Sequence, residues 1–146
     1  MSKKSKEYKN MLKHHNKELK KAHKACTNSP FDYECALTYF INYLKFMKDY
    51  YTLDENVWGD DVEGHNRAEK IKAALDEYEA YENCFSKYYI STSKLKEGTE
   101  NAFEVKMIPL MYGDEEMNRK EYLKEEEQHW KNFWKIVQKE IRYWWD

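Results

Sequence analysis

Apolar residues recur at alternating three- and four-residue steps over residues 4–27, which predicts an amphipathic first helix. The apolar face is formed by Tyr8, Met11, Leu12, His15, Leu19, Ala22 and Cys26. At about 100° per residue, a row of lysines falls on the opposite face. These are Lys6, Lys9, Lys13, Lys17, Lys20 and Lys24. This row is interpreted either as a solvated helix face or as a surface for the phosphates of nucleic acid.

Residues 30–51 predict a second helix that is apolar around most of its circumference. Ser29 is a suitable N-cap, and Pro30 suits the first helical position. A helix with so little polar surface is expected to be buried on several sides. We therefore predict that this helix lies at the centre of the fold.

The third helix is predicted over residues 66–89. Asn66 and Glu69 have the spacing of a capping box at its start. One stripe carries most of the apolar residues and the other side is charged, so the helix is expected to pack on one face. The stripe consists of Ile71, Leu75, Tyr78, Glu82, Phe85 and Tyr89.

A short hairpin is a candidate structure for the segment after this helix. Residues 103–107 alternate apolar and polar, and residues 88–92 can pair with them across residues 96–99. Two strands alone are marginally stable, so a helix behind them is needed. Asp114 then opens a last helix over residues 114–145. The fold class predicted is mainly all-α, a four-helix bundle-like single domain over residues 1–146 with this hairpin between the third and fourth helices.

The last helix contains four of the five tryptophans in the chain. Most of its aromatic residues share one face, expected to pack against the second helix, with Trp145 at the margin. That face consists of Trp130, Phe133, Trp134, Val137, Ile141 and Trp144. Ile136 and Tyr143 point away from it, one heptad apart. Ile136, Tyr143 and Trp145 are therefore the candidate partner-binding residues, and the alternative is that the whole segment is one wall of the core.

Composition narrows the class of protein. Aromatic residues make up 16% of the 146 residues and charged residues 36%, with a net charge of −2. These values are typical of a soluble protein with a surface of mixed sign. Three cysteines without C-x-x-C spacing favour a reduced, intracellular protein. The sequence has no apolar run of about 20 residues and no signal peptide pattern, so we expect a cytoplasmic protein.

No spacing of residues predicts catalysis, a cofactor or a metal site. The acidic connector, residues 52–65, fails as an EF-hand loop starting at Asp54, because Trp58 and His65 stand at ligand positions. Glu126-x-x-His129 is half of a di-iron motif without a second copy. The four glycines lack the spacing of a phosphate-binding loop. We therefore predict that the protein is not an enzyme.

Two stretches resemble small helical proteins encoded by tailed bacteriophages. They are Phe46–Gly59 and the ending Phe133–Asp146, which closes with Trp-Trp-Asp. The resemblance implies a phage-made protein that acts in the cytoplasm of a bacterial host. By analogy, such a protein binds and inhibits a host protein, for example a defence effector in the manner of an anti-CRISPR protein. The family supplies no catalytic residues.

Inhibition of a host protein is thus the leading functional expectation. One alternative is nucleic-acid binding through the lysines of the first helix. Another is a small-molecule sponge or a metal-binding bundle with its pocket between helices. A homodimer is compatible with each of the three.

Overall fold

The protein consists of four helices and one hairpin in the part of the chain described by a computed structural model, residues 3–26, 33–53, 62–95 and 103–144. In chain order the elements are α1 (Lys3–Cys26), α2 (Tyr33–Tyr51), α3 (Val62–Tyr88), β1 (Tyr89–Leu95), β2 (Phe103–Pro109) and α4 (Glu115–Trp144). The fold class predicted from the sequence, mainly all-α with a hairpin between the third and fourth helices, is confirmed.

The chain divides into two compact units. Unit 1 comprises Met1–Asp76 with Lys135–Asp146, and unit 2 comprises Glu77–Trp134. α3 and α4 each contribute one end to each unit. The predicted single domain stays a prediction.

The start of α3 differs from the predicted one. The helix begins at Val62, so Asn66 lies one turn inside it and is not the N-cap. Gly64 costs a helix only about 1 kcal/mol relative to alanine. The predicted start of α2 at Pro30 lies outside the described residues.

Unit 1 is built on antiparallel packing of α1 against α2. The ring of Tyr8 lies 6.1 Å from that of Tyr50, and His15 lies 4.4 Å from Phe46. Nearer the end of α1, Nδ1 of His23 lies 3.0 Å from the hydroxyl of Tyr39. The apolar face of α1 predicted from the sequence is therefore the face that packs.

Tyr51 joins α2 to two other segments of unit 1. Its hydroxyl donates a hydrogen bond to the backbone carbonyl of Trp144 in α4. The guanidinium of Arg67 in α3 lies 5.6 Å from the centre of the Tyr51 ring and donates to its hydroxyl at 3.4 Å. The core around these contacts includes Leu37, Ile41, Leu44, Met47, Ala68, Ile71, Ala74, Val137 and Trp144.

α2 is fully buried along one stripe, and Phe46 and Tyr50, which pack on α1, are half-buried. The buried positions follow helical steps from Leu37 to Tyr51, while Tyr33 and Tyr43 are 61% and 46% exposed. A tyrosine tolerates exposure because its hydroxyl stays hydrated while its ring is partly covered. Packing on several sides is therefore observed, except at exposed positions such as Tyr33 and Tyr43.

Unit 2 contains the hairpin, packed between the end of α3 and the start of α4. β1 pairs with β2 antiparallel, in a register that places Tyr89 opposite Pro109 and Leu95 opposite Phe103. Tyr88 and Tyr89 are buried together with Cys84, and Tyr122 of α4 packs against them. The rings of Tyr88 and Tyr89 meet Tyr122 edge-on at 6.0 and 5.8 Å. These helical residues supply the layer that a two-stranded sheet needs.

The aromatic face of α4 packs in unit 2 on tyrosines of α3. Trp130 lies 5.0 Å from Tyr81, and Phe133 lies 5.3 Å from Tyr78. α2 was the expected partner, so this part of the prediction is corrected. Of these two tyrosines, Tyr78 belongs to the apolar stripe predicted for α3, whereas Tyr81 does not.

The interior stripe of α3 is also shifted from the predicted one. Ile71 is fully buried as expected. In the last turns, however, Cys84 and Tyr88 are buried, whereas Phe85 is 38% exposed and Glu82 is exposed. Placing Cys84 inside moves the buried face by about one residue, or 100°.

Candidate functional site

All six lysines predicted to share one face of α1 have exposed side chains. They are Lys6, Lys9, Lys13, Lys17, Lys20 and Lys24, named together the lysine face. An open depression runs along the middle of this face. It is lined by Lys9, Leu12, Lys13, Asn16, Lys17 and Lys20. The arrangement expected from helical spacing is thus the one observed.

The three candidate partner-binding residues differ in their surroundings. Tyr143 is 62% exposed, as a contact residue on a free surface must be. Ile136 is only partly exposed. Trp145 lies outside the described residues. Their role in binding stays a prediction.

A larger apolar surface lies in unit 2, on a segment that the sequence analysis did not single out. Seven large apolar side chains there are each 39–52% exposed. We name six of them the hairpin apolar surface: Ile90, Ile108, Leu110, Met111, Tyr112 and Met117. The seventh, Met107, is opposite Ser91 and lies on the other face of the hairpin. Full burial of such a side chain contributes about 1.5–3 kcal/mol at about 25 cal/mol per Å², which corresponds to roughly 60–120 Å². About half exposure of the six side chains then gives an apolar area on the order of 300 Å². This lies at the lower end of the largest apolar patches on monomers, roughly 300–600 Å².

Strand pairing brings the first members of this surface together. Ile90 of β1 is directly opposite Ile108 of β2, so both side chains leave the same face of the hairpin. Tyr89 and Pro109 are paired on the other face, where Tyr89 is buried. The Ile90 and Ile108 face is therefore the outer one.

Backbone hydrogen bonds fix the remaining members. The backbone N–H of Leu110 donates to the carbonyl of Tyr88 at 2.9 Å. Oδ1 of Asn118, a fully buried side chain, accepts from the N–H groups of Met111 and Tyr112 at 3.2 and 3.1 Å. The apolar side chains at 110–112 are thus held beside the first turn of α4, which carries Met117. In the sequence, the apolar run 107–112 indicates this surface. Side chains of a strand alternate between its two faces, so a run of this length cannot all be buried on one of them.

Unit 2 also contains a polar cluster centred on Glu125 of α4. One of its oxygens accepts from Nζ of Lys87 at 2.6 Å and from the hydroxyl of Tyr88 at 3.3 Å. The other accepts from the thiol of Cys84 at 3.4 Å. The hydrogen bond from Lys87 is the main cause of a lowered pKa of Glu125. Because the Glu125 carboxylate is ion-paired and its pKa is lowered, it is better suited to holding α3 and α4 together than to accepting a proton as a general base.

The thiol in this cluster has the properties of an inert one. Burial, followed by the hydrogen bond to Glu125, raises the pKa of Cys84 to about 12. The nucleophilic species of cysteine is the thiolate, which such an environment disfavours. Cys26, Cys35 and Cys84 are all free cysteines.

The pair Glu126 and His129 is used for contacts between side chains of unit 2. The Tyr122 hydroxyl donates to Glu126, and Nδ1 of His129 lies 2.7 Å from Glu77 of α3. Among the described residues, no group of three or more His, Cys, Asp or Glu side chains could hold a metal ion. Residues 54–61 of the acidic connector tested as an EF-hand fall outside those residues.

None of the helices searched within the described residues is long and apolar enough to cross a membrane. The comparison with models of protein families gives no match, and comparisons with curated proteins and with solved structures give no significant one. The surfaces above are therefore interpreted from their own geometry.

Proposed function

We propose that the protein is a non-enzymatic binding protein that inhibits a protein of a bacterial host by docking on it through the hairpin apolar surface. The observation that carries the proposal is the exposure of six large apolar side chains on the outer face of the hairpin and in the anchored residues that follow it. Apolar patches of this size on monomers are often functional.

The composition of the surface favours a protein partner. It contains two methionines, Met111 and Met117, whose flexible thioether side chains adapt to varied apolar contours. It also contains one tyrosine, Tyr112, of the residue class that is enriched at binding hot spots. An area on the order of 300 Å² is a sizeable part of the roughly 800 Å² that one partner contributes to a standard interface.

Anchoring of the backbone supports tight binding. The Asn118 side chain holds Met111 and Tyr112, and the carbonyl of Tyr88 holds Leu110, before any partner arrives. A surface fixed in advance loses less conformational entropy on binding. The resemblance to phage proteins is what indicates the target, a host protein such as a defence effector. The same resemblance indicates that this target is in the host cytoplasm.

The test begins with a photo-crosslinking amino acid at position 111, introduced in the full-length protein in its host. We expect it to label one host protein in stoichiometric amount. The purified partner is then titrated by calorimetry with the wild type and with the variant Leu110→Ser/Met111→Ser. We expect the double variant to lose at least tenfold in affinity and to stop inhibiting the partner.

Tyr33→Ser is the matched control, because Tyr33 is 61% exposed and lies in unit 1. It is expected to bind the partner as the wild type does. Equal affinity of the double variant and the wild type would show that the surface is not the docking site. Absence of a stoichiometric partner, together with normal phage growth without the gene, would overturn the proposal itself.

A further inference from the structure

We infer that Cys26 and Cys35 form a reversible disulfide bond across the packing of α1 against α2 when the protein is exposed to hydrogen peroxide. Cys26 is the last residue of α1, and Cys35 lies in the first turn of α2. The inference does not rest on the proposed function, because both cysteines belong to unit 1, whereas the hairpin apolar surface lies in unit 2.

The register of α1 on α2 places the two cysteines opposite each other. The ring of His15 lies 4.4 Å from that of Phe46. Cys26 is eleven residues after His15, and Cys35 is eleven residues before Phe46. Eleven residues make close to three whole turns, a step of about 16 Å along each helix. Because the two helices are antiparallel, this step leads from the aromatic pair to the two cysteines.

Contacts beside the cysteines show that the helices are still packed at this end. Nδ1 of His23, three residues before Cys26, lies 3.0 Å from the hydroxyl of Tyr39, which is one turn after Cys35. Desolvation raises the pKa of Tyr39, and the thiols of Cys26 and Cys35 raise it further. Both sulfur atoms therefore lie near the same hydroxyl oxygen.

The spacing of packed helices suits a disulfide bond between facing residues. The axes of two such helices are about 8–10 Å apart, and each Cα atom is about 2.3 Å from its axis. Facing Cα atoms are therefore roughly 3.5–5.5 Å apart, whereas a disulfide requires about 4.4–6.8 Å. Cys26 is 8% exposed and Cys35 is half-buried, as expected for residues that face a neighbouring helix.

The oxidation proceeds in two steps, and Cys35 reacts first because it is the more exposed thiol. Its thiolate attacks one oxygen of hydrogen peroxide, the O–O bond breaks, and the hydroxide that leaves takes up the proton lost by the thiol. The sulfur of Cys26 then attacks the resulting sulfenic acid, an S–S bond forms, and water leaves with the second proton. Two thiols are thus oxidised, and one peroxide is reduced to two molecules of water.

Cys84 provides an internal reference for this chemistry. It is 1% exposed, and burial raises its pKa to about 12, so it lacks both access to peroxide and a thiolate. Disulfides in a reducing cytoplasm are mostly transient and respond to oxidants. The pair of Cys26 and Cys35 therefore makes unit 1 responsive to the redox state of its surroundings.

The test exposes the full-length protein to a small excess of hydrogen peroxide, alkylates the remaining thiols with iodoacetamide in denaturant, and identifies tryptic peptides by mass spectrometry. Cys26 and Cys35 lie on one such peptide, residues 25–45. We expect this peptide to have lost two hydrogen atoms and to carry no alkyl group, while Cys84 is alkylated. Dithiothreitol should restore both alkylation sites.

The crosslink should also change thermal stability. We expect peroxide to raise the melting temperature of the wild type by roughly 5 °C, because the bond restrains the unfolded chain. Cys84→Ser should show the same rise, whereas Cys26→Ser and Cys35→Ser should show none.

The double variant Cys26→Ser/Ala25→Cys is the matched control for the geometry. It keeps two thiols close in sequence, but Ala25 is exposed and lies about 100° around α1 from Cys26. We expect its disulfide to form at least tenfold more slowly than that of the wild type in buffer. In concentrated urea, where the helices are lost, the two proteins should react at similar rates.

Three results would overturn the inference. One is an equal rate of disulfide formation in the wild type and the Cys26→Ser/Ala25→Cys variant in buffer. Another is oxidation of Cys35 to a sulfinic acid while Cys26 stays open to alkylation. The third is a disulfide that joins two copies of the chain, visible as a dimer on a non-reducing gel. None of these results bears on docking through the hairpin apolar surface.

Discussion

Nδ2 of Asn118 donates a hydrogen bond to the backbone carbonyl of Tyr88 at 2.9 Å, and the Asn118 side chain is fully buried. The same side chain accepts two backbone N–H groups through Oδ1. One amide thus joins the start of α4, the end of α3 and the segment after β2. Three polar groups of the backbone are satisfied by a single residue, which is what a buried connection requires.

Substitution Asn118→Ala is expected to lower the free energy of unfolding by about 2–4 kcal/mol. It leaves the part-buried backbone donors at Met111 and Tyr112 without this acceptor, and each unmade bond costs roughly 1–3 kcal/mol. Urea denaturation followed by circular dichroism measures the effect. Asn132→Ala is the control, since Asn132 receives one hydrogen bond from Gln128 at the surface; it should stay within about 0.5 kcal/mol of the wild type. Equal losses in the two variants would refute the structural role of Asn118.

The charge of Glu125 should make stability depend on pH in the acid range. Its pKa is lowered in the folded protein, chiefly by the hydrogen bond from Lys87. The resulting stabilisation is present above the unfolded pKa, near 4.5, and is lost as pH falls through the folded value. We therefore expect the urea midpoint of the wild type to fall more between pH 6 and 3 than that of Glu125→Gln.

Glu127→Gln provides the comparison for this experiment. Glu127 is on the same helix and pairs with Lys131 at 3.8 Å, but its side chain is 59% exposed. An exposed pair contributes little because solvent screens it. This variant should keep the pH dependence of the wild type. A parallel change in both glutamine variants would mean that Glu125 has no special part in acid stability.

Cys84 should resist alkylation in the folded protein. Its side chain is 1% exposed and its pKa is raised to about 12, so both access and thiolate are lacking near pH 8. Iodoacetamide treatment followed by peptide mass spectrometry is expected to leave Cys84 unmodified in buffer and to modify it fully in denaturant. Rapid stoichiometric modification under native conditions would show that the end of α3 opens readily.

The long helices could be predicted because periodicity along α1 and α4 is a local property of the sequence. The lysine face follows from it directly, since spacing alone decides which side chains share a side of a helix. The hairpin could also be predicted, from the alternation in residues 103–107. The hairpin apolar surface could not, because its exposure depends on which face of the sheet α3 and α4 cover.

Contacts between distant residues could not be predicted. Lys87 and Glu125 are 38 positions apart, and no sequence pattern around either residue identifies the other as its partner. The packing of Trp130 on Tyr81 likewise depends on which helix lies beside α4. Composition favoured the aromatic α2 for this place, whereas the tyrosines of α3 occupy it. Which of the aromatic helices packs beside α4 is decided by tertiary packing and not by the local sequence of α4.

Trp144 and Tyr143 are adjacent in α4 and should respond to substitution in opposite ways. Trp144 is fully buried in unit 1 and its carbonyl accepts from Tyr51, whereas Tyr143 is 62% exposed. Trp144→Ala is expected to reduce the free energy of unfolding by about 3–5 kcal/mol, as large-to-small core substitutions do. Tyr143→Ala should stay within about 0.5 kcal/mol of the wild type and weaken only a partner or dimer contact. Urea denaturation of both variants separates the two effects.

A third variant, Trp144→Phe, tests whether the cost comes from lost volume or from the indole N–H. Among the described residues, Nε1 of Trp144 has no hydrogen-bond partner although it is buried. Removing an unsatisfied donor offsets part of the loss of ring volume, so Trp144→Phe should cost far less than Trp144→Ala. If Tyr143→Ala were the more destabilising of the two alanine variants, the last turns of α4 would be rotated by about 100° from the orientation described.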